Sequence, residues 1–266
     1  MRQHFWDEQE PADLDTVATV TDDPLALPPP ARGRVYRGGR RVRLGDASPG
    51  GRLRLDALAR YLQDVSNDDT RDGELDDDGW VVRRTALRVA RLPVIGEELV
   101  LETFCSGIGG RWAERRVRVQ GDQGGAVEAV SLWVHVDMAT GRPTPLTPPF
   151  FTLYGEAAAG RTVRARLTHP DPPADAGERR PWPLRATDFD VMSHMNNAAY
   201  WAPVEEELWR RRDLRAPLGA ELEFRVAIEP GDAVEVVRQD GEGDVRLWLV
   251  RQGAVVCATA HLWRRS

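Results

Sequence analysis

Between Arg185 and Tyr200 the chain reads RATDFDVMSHMNNAAY, which crowds Asp188, Asp190, His194, Asn196 and Asn197 into one short stretch. Asp190 stands four residues before His194. A carboxylate so placed is able to take a proton from water or to attack an electrophile directly. The imidazole of His194 could pass protons or position that water. The residues that follow predict a helix, whose N-terminus would offer unpaired N–H groups and a partial positive charge. Such a terminus polarises a carbonyl and holds the oxyanion that forms on attack. Taken singly, Asp and Asn before a helix are ordinary caps and turn formers. The whole pattern, D-x-x-x-H-x-N-N-x-x-Y, is what points to chemistry, and Asn196 and Asn197 are expected to cap the helix as well as to serve the site.

The elements around this stretch come in two versions. Each version opens with a charged, strand-like run, Val35–Asp46 and then Leu184–Asp190. Each continues into one amphipathic helix. Leu55, Leu58, Ala59, Leu62 and Val65 recur at helical spacing in the first, and Tyr200, Val204 and Leu208 in the second. Strand signals follow both helices: Leu99–Phe104 and Val127–Val136 in the first half, Val234–Val237 and Val255–Trp263 in the second, with glycine turns before the last strand of each. Residues 1–32 read as a mobile leader, acidic and without periodicity. The Pro-rich stretch 151–182 reads as a linker, with a short helix around Tyr154–Ala159. The remaining segments, 33–150 and 183–266, are expected to be two domains.

Composition limits the partners. The net charge is −6 and every cation is arginine, an acidic balance that argues against bulk nucleic-acid binding. No apolar run is long enough to span a bilayer, and the N-terminus has no apolar segment of the secretory kind. Two distant cysteines, Cys105 and Cys257, provide no disulfide framework and fit a reducing cytoplasm. No cofactor or metal is expected. Asp68–Gly79 has Gly79 where a calcium loop needs a bidentate Glu, Cys257 and His261 lie too far apart along a strand to share an ion, and neither a phosphate-binding glycine loop nor a G-x-S-x-G elbow is present. Arginines cluster at Arg37–Arg43, at Arg111–Arg118 and at Arg210–Arg212. They suit either a solvated face or a patch for an acidic carrier.

The stretch around Asp190 resembles the signature of the acyl-ACP thioesterases, D-x-D-x-N-x-H-x-N-N-x-x-Y. Trp80-Val81-Val82-Arg83-Arg84 is similar to the family's W-V-V-x-R strand, Val130–Val134 to its S-x-W-V strand, and Leu58–Val65 to its first helix. The resemblance spans roughly residues 33–266. It implies an α+β fold, a tandem double hot-dog in which each curved antiparallel sheet wraps a central helix and the two copies form an internal pseudo-dimer. Whether whole chains pair further into a homodimer is left open. It implies hydrolysis of fatty-acyl thioesters carried on acyl carrier protein or coenzyme A, with Asp190, His194 and Asn196 catalytic. The acyl chain would lie against Leu58, Leu62, Val65, Trp80 and Val82, with Asn197 and Tyr200 beside it. Two positions depart from the family: its catalytic Asn falls at Met192, and its Glu after an E-[YF]-R strand falls at Ala227. Glu206 is a candidate substitute, although Glu205–Glu207 also suit a solvated helix face. The rival readings are a coenzyme A or polyketide-type thioesterase, a hot-dog dehydratase, and an acyl-binding protein whose site has decayed.

Overall fold

The computed structural model describes residues 27–75, 79–175, 177–252 and 254–265. Most of the expected leader, residues 1–26, lies outside the described residues, as do Gly253 and part of the acidic loop. In chain order the elements are β1 (Tyr36–Arg41), α1 (Leu55–Asp72), β2 (Trp80–Arg91), β3 (Glu98–Ile108), β4 (Trp112–Gly121), β5 (Ala126–His135), α2 (Pro148–Ala158), β6 (Arg179–Trp182), α3 (Ala202–Arg210), β7 (Leu218–Phe224), β8 (Val234–Asp240), β9 (Asp244–Arg251) and β10 (Val255–Arg264).

All ten strands form one antiparallel sheet in the order β1-β3-β4-β5-β2-β7-β10-β9-β8-β6. Outward from the β2–β7 seam the two halves repeat: β2-β5-β4-β3-β1 on one side, β7-β10-β9-β8-β6 on the other. Each strand of the second run is the counterpart of the one five earlier, so the chain is a double hot-dog in which one copy completes the other. The seam runs from Arg84 opposite Glu223 to Val89 opposite Leu218. It covers two edges that would otherwise offer open hydrogen-bonding groups. The outer edges are blunted by arginine and proline instead, with YRGGRR in β1 and RRPW in β6. Pro181 is tolerated because β6 is the last strand and needs no ladder bond on its free side.

One continuous apolar core serves both halves. The buried stripe of α1, with Leu55, Leu58, Leu62 and Val65, packs with Leu87 and Leu101 of the first half and Leu222, Val236 and Leu249 of the second. The helix α1 begins without a cap of its own; Glu205 of α3 accepts a bond from the Leu55 N–H at 3.0 Å and pairs with both terminal nitrogens of Arg52. A carboxylate there satisfies an orphan N–H and faces the positive end of the helix. Glu207 is fully buried and receives Arg238 at 2.9 Å, with Arg180 and Arg210 nearby. The Glu205–Glu207 run is therefore no solvated face: Glu205 ties α3 to the first half, Glu207 is enclosed by arginines of the second half, and only Glu206 is left to solvent.

The structure differs from the sequence reading at three boundaries. The second half opens at β6, inside the stretch read as linker, and Leu184–Asp190 forms a coil with a short 3-10 turn at Ala186–Asp188. The second helix starts at Ala202, after a 3-10 turn over Ala199–Trp201, because Pro203 is favoured only in a first helical turn. The helix α2 likewise starts earlier than Tyr154, at Pro148. Asp68–Asp72 belong to α1, which removes the calcium-loop geometry.

Candidate active site

The segment Asp188–Trp201 is a tight loop pinned from both sides. The Asp188 carboxylate, buried, accepts the Arg185 N–H at 2.8 Å, and its main-chain oxygen accepts the Asn196 N–H at 2.8 Å. The Asp190 N–H donates to the His194 carbonyl, and the Ser193 N–H to the Asp190 carbonyl, both at 3.0 Å. Ser193 sits in the left-handed region at φ 57°, which closes the turn. At the far end the Met195 N–H donates to the Ile228 carbonyl at 2.8 Å, and the Ile228 N–H to the Tyr200 hydroxyl at 3.1 Å. Tyr200 is buried edge-on against Phe224, and burial pushes its phenol well above the ordinary value. The loop is thus anchored to the chain that leaves β7.

Within it the half-buried Asp190 carboxylate has two contacts. One oxygen accepts the Met192 N–H at 2.9 Å and the other lies 3.5 Å from the Asn196 amide nitrogen. The Asn196 side-chain oxygen accepts the Ala198 N–H at 2.9 Å and its carbonyl accepts the Ala199 N–H at 2.8 Å. Asn196 thus closes a local turn while its amide reaches back to Asp190; contrary to expectation neither it nor Asn197 caps the helix, because α3 starts only at Ala202, with Trp201 before it and no side-chain bond at that end. The Asn197 N–H donates to no acceptor among the described residues. His194 is exposed on the same turn as Asp190, and no hydrogen bond joins the two side chains among the described residues. Met192 is 51% exposed on that turn, and Ala227 is exposed beside Ile228.

A cavity begins at this loop. Asn197, Ala198 and Trp201 form one side, Leu62 and Ser66 of α1 another, and Val82, Thr85, Arg115, Ser131 and Trp133 of the sheet a third, with Phe224 at the seam. Its open interior is about 30 Å³, room for a water. Small-molecule pockets hold roughly 300–1,000 Å³, so an acyl chain would have to part these walls. Of the expected lining residues, Leu62, Val82 and Asn197 line the cavity. Leu58 and Val65 face the core one turn away on α1, and Trp80 packs on His135 and Phe150 beneath α2, with centroids 5.1 and 5.2 Å away. Tyr200 holds the loop from behind. Thr85 and Trp201, and Ser131 and Trp133 of the S-x-W-V strand, line the cavity as well, without having been expected there. Ser131 and Trp133 share a strand face at period two, a signal that shows a face without showing what it encloses.

A second opening, of about 340 Å³, is lined by Arg180, Trp182, Pro183, Arg185, Ala202 and Glu206. Glu206 therefore borders this opening and not the cavity behind Asp190. The arginine clusters at Arg37–Arg43, Arg111–Arg118 and Arg210–Arg212 are largely matched by acids: Arg37 with Glu102, Arg40 with Asp64, Arg118 with Glu128, Arg211 with Asp213 and Asp240. One group of metal-ligand type occurs among the described residues, His169, Glu221 and Glu223, with ligand atoms within 4.8 Å of one another. Its members already have protein partners. Glu223 accepts the Thr168 and His169 N–H groups, and His169 Nδ1 lies 2.9 Å from Thr259 Oγ1. The group latches Thr168 and His169 onto the sheet.

The family model for the acyl-ACP thioesterase N-terminal domain matches residues 33–154, and that for the C-terminal domain matches residues 172–265. The chain belongs to the acyl-ACP thioesterase family. It is 32% identical over 223 residues to an uncharacterized Mycobacterium tuberculosis protein, covering 83% of this chain and 89% of that one. Among solved structures, the 12:0-ACP thioesterase from Umbellularia californica has a TM-score of 0.74 at 20% identity, covering 88% of this chain and 99% of that one. An acyl-ACP thioesterase from Bacteroides thetaiotaomicron has a TM-score of 0.72 at 14% identity, covering 86% and 97%. These two share the fold. Family and fold together make this acyl-ACP thioesterase homologue a thioester hydrolase. No helix among the described residues is long and apolar enough to cross a membrane.

Proposed function

We propose that the protein hydrolyses fatty-acyl thioesters of acyl carrier protein, releasing the free fatty acid, and serves fatty-acid biosynthesis in the cytoplasm. The observation that carries this is the Asp190 carboxylate, in contact with the Asn196 amide, on a loop whose next residue, Asn197, lines the cavity. In this reading Asp190 takes the proton of the attacking water or attacks the thioester carbonyl itself, in which case water then cleaves the anhydride. The Asn197 N–H faces the developing oxyanion. His194 delivers a proton to the departing thiolate. Asn196 holds the carboxylate in place.

The second opening, with Arg180 and Arg185 around Trp182, suits a phosphate-bearing pantetheine arm. Arg185 hydrogen-bonds Asp188, so an arm seated there would lie against the motif loop. A protein carrier should feel these charges more than a small thioester does. Rising salt is therefore expected to raise KM for acyl-ACP more than for acyl-CoA, because screening weakens exposed charge pairs. Steady-state kinetics at several ionic strengths measure this, and identical salt dependence would remove acyl carrier protein as the preferred partner. Met192 and Ala227 favour a second reading, an acyl-binding protein without turnover; that protein would bind acyl groups and release no thiol.

A further inference from the structure

The wall of the cavity is less apolar than a hydrocarbon chain requires. Thr85 and Ser131 meet there with their hydroxyl oxygens 3.0 Å apart. Trp133 lies in the same wall, and its indole N–H is buried with no hydrogen-bond acceptor among the described residues. A buried donor without an acceptor is rare in native structures and calls for an explanation. Arg115 adds a guanidinium, held by the fully buried Asp69. The charges around it balance: Arg34 and Arg115 face Asp69 and Asp72. A carboxylate tail would find no net positive charge at this end, whereas a neutral oxygen would find a free donor and two hydroxyls.

We propose that this cavity takes an acyl chain bearing a neutral oxygen, a hydroxyl or keto group, away from the thioester, and that Trp133 reads that oxygen through its N–H. The proposal rests on the thioesterase reading for the orientation of the chain, with the thioester at Asn197 and the oxygenated part toward Trp133 and Arg115. A plain chain of equal length would fill the cavity and leave the Trp133 N–H without an acceptor, the situation in which a binding site discriminates most strongly.

The test uses non-hydrolysable pantetheine thioethers with chains of equal length, one plain and one carrying a distal hydroxyl or keto group, titrated against the full-length protein by calorimetry. The oxygenated analogue is expected to bind about 10- to 100-fold more tightly. Trp133→Phe keeps most of the ring and removes the donor, so it should reduce that ratio about tenfold; a role in packing alone would weaken both analogues together. Ser131→Ala provides a second, smaller change in the same direction. Equal or tighter binding of the plain analogue to the wild type, or a ratio untouched by Trp133→Phe in a folded protein, would overturn the proposal. Because the titration reads binding alone, an oxygen preference without thiol release from the matching thioester would uphold this inference and sink the hydrolase reading.

Discussion

Asp190→Asn is expected to lower kcat by roughly 10²–10⁴ while leaving the folded structure in place. The structural work of Asp190 is modest: one oxygen accepts the Met192 N–H, and the other has only a long contact with Asn196. An asparagine can accept the same N–H, since Asn and Asp are both effective in such turns. What it cannot do is take a proton from water or attack a carbonyl. Kinetics and a denaturation curve on the same variant therefore separate chemistry from structure. If Asp190 only closes the turn, both curves will stay near wild type. His194→Ala should produce a comparable loss, and the double variant should lose far less than the product of the two if they act as a unit. Restoring the family residues by Met192→Asn and Ala227→Glu should raise turnover, since both positions are exposed on or beside the loop and accept polar groups without burying them.

The largest loss of stability is expected at Asp69. Its carboxylate is fully buried near the end of α1 and ties three other segments to that helix. Arg34 Nε donates to it at 2.5 Å from the chain before β1, the Tyr154 hydroxyl donates at 3.0 Å from α2, and Arg115 donates from β4. Arg115 also lies over the Tyr154 ring, 4.9 Å from its centroid. Asp69→Leu fills most of the space but leaves Arg115 charged and enclosed without its partner. Removing one member of a buried pair costs about 3–5 kcal/mol, against a total of about 5–15 kcal/mol for a folded domain. The midpoint of urea unfolding should fall accordingly. Replacing both partners with Asp69→Leu and Arg115→Leu should recover much of the loss, because the cost lies in the stranded charge and not in the pair's own attraction. A single variant as stable as wild type would show that water reaches Arg115.

Much of the architecture was legible because hydrophobic periods report burial directly. Leu55, Leu58, Leu62 and Val65 marked α1, and the strands at Leu99, Val127, Val234 and Val255 fell where apolar residues ran in strand-like blocks. β4 was hidden by Arg115, Arg116 and Arg118, whose charges read as a surface patch. In the fold Arg115 is enclosed by Asp69, a residue 46 positions away that no local pattern brings near. The same long-range pairing explains Glu205 and Glu207, which looked like a solvated face and instead cap α1 and hold Arg238. The motif loop was legible as a cluster of residue types, and the cavity behind it was not. Ser131, Trp133 and Thr85 become a cavity wall only when α1 and the loop at Asn197 close over them.

The loop from Asp188 to Trp201 is where hydrolysis of acyl thioesters is proposed to take place. The most direct measurement is thiol release by the purified wild-type protein from acyl-ACP and acyl-CoA thioesters of graded chain length, followed with a thiol-reactive dye and repeated with Asp190→Asn. Catalytic release is expected from at least one acyl-ACP, falling by roughly 10²–10⁴ in the variant. Binding of acyl carriers without release from any of them, or release that Asp190→Asn leaves unchanged, would contradict that proposal.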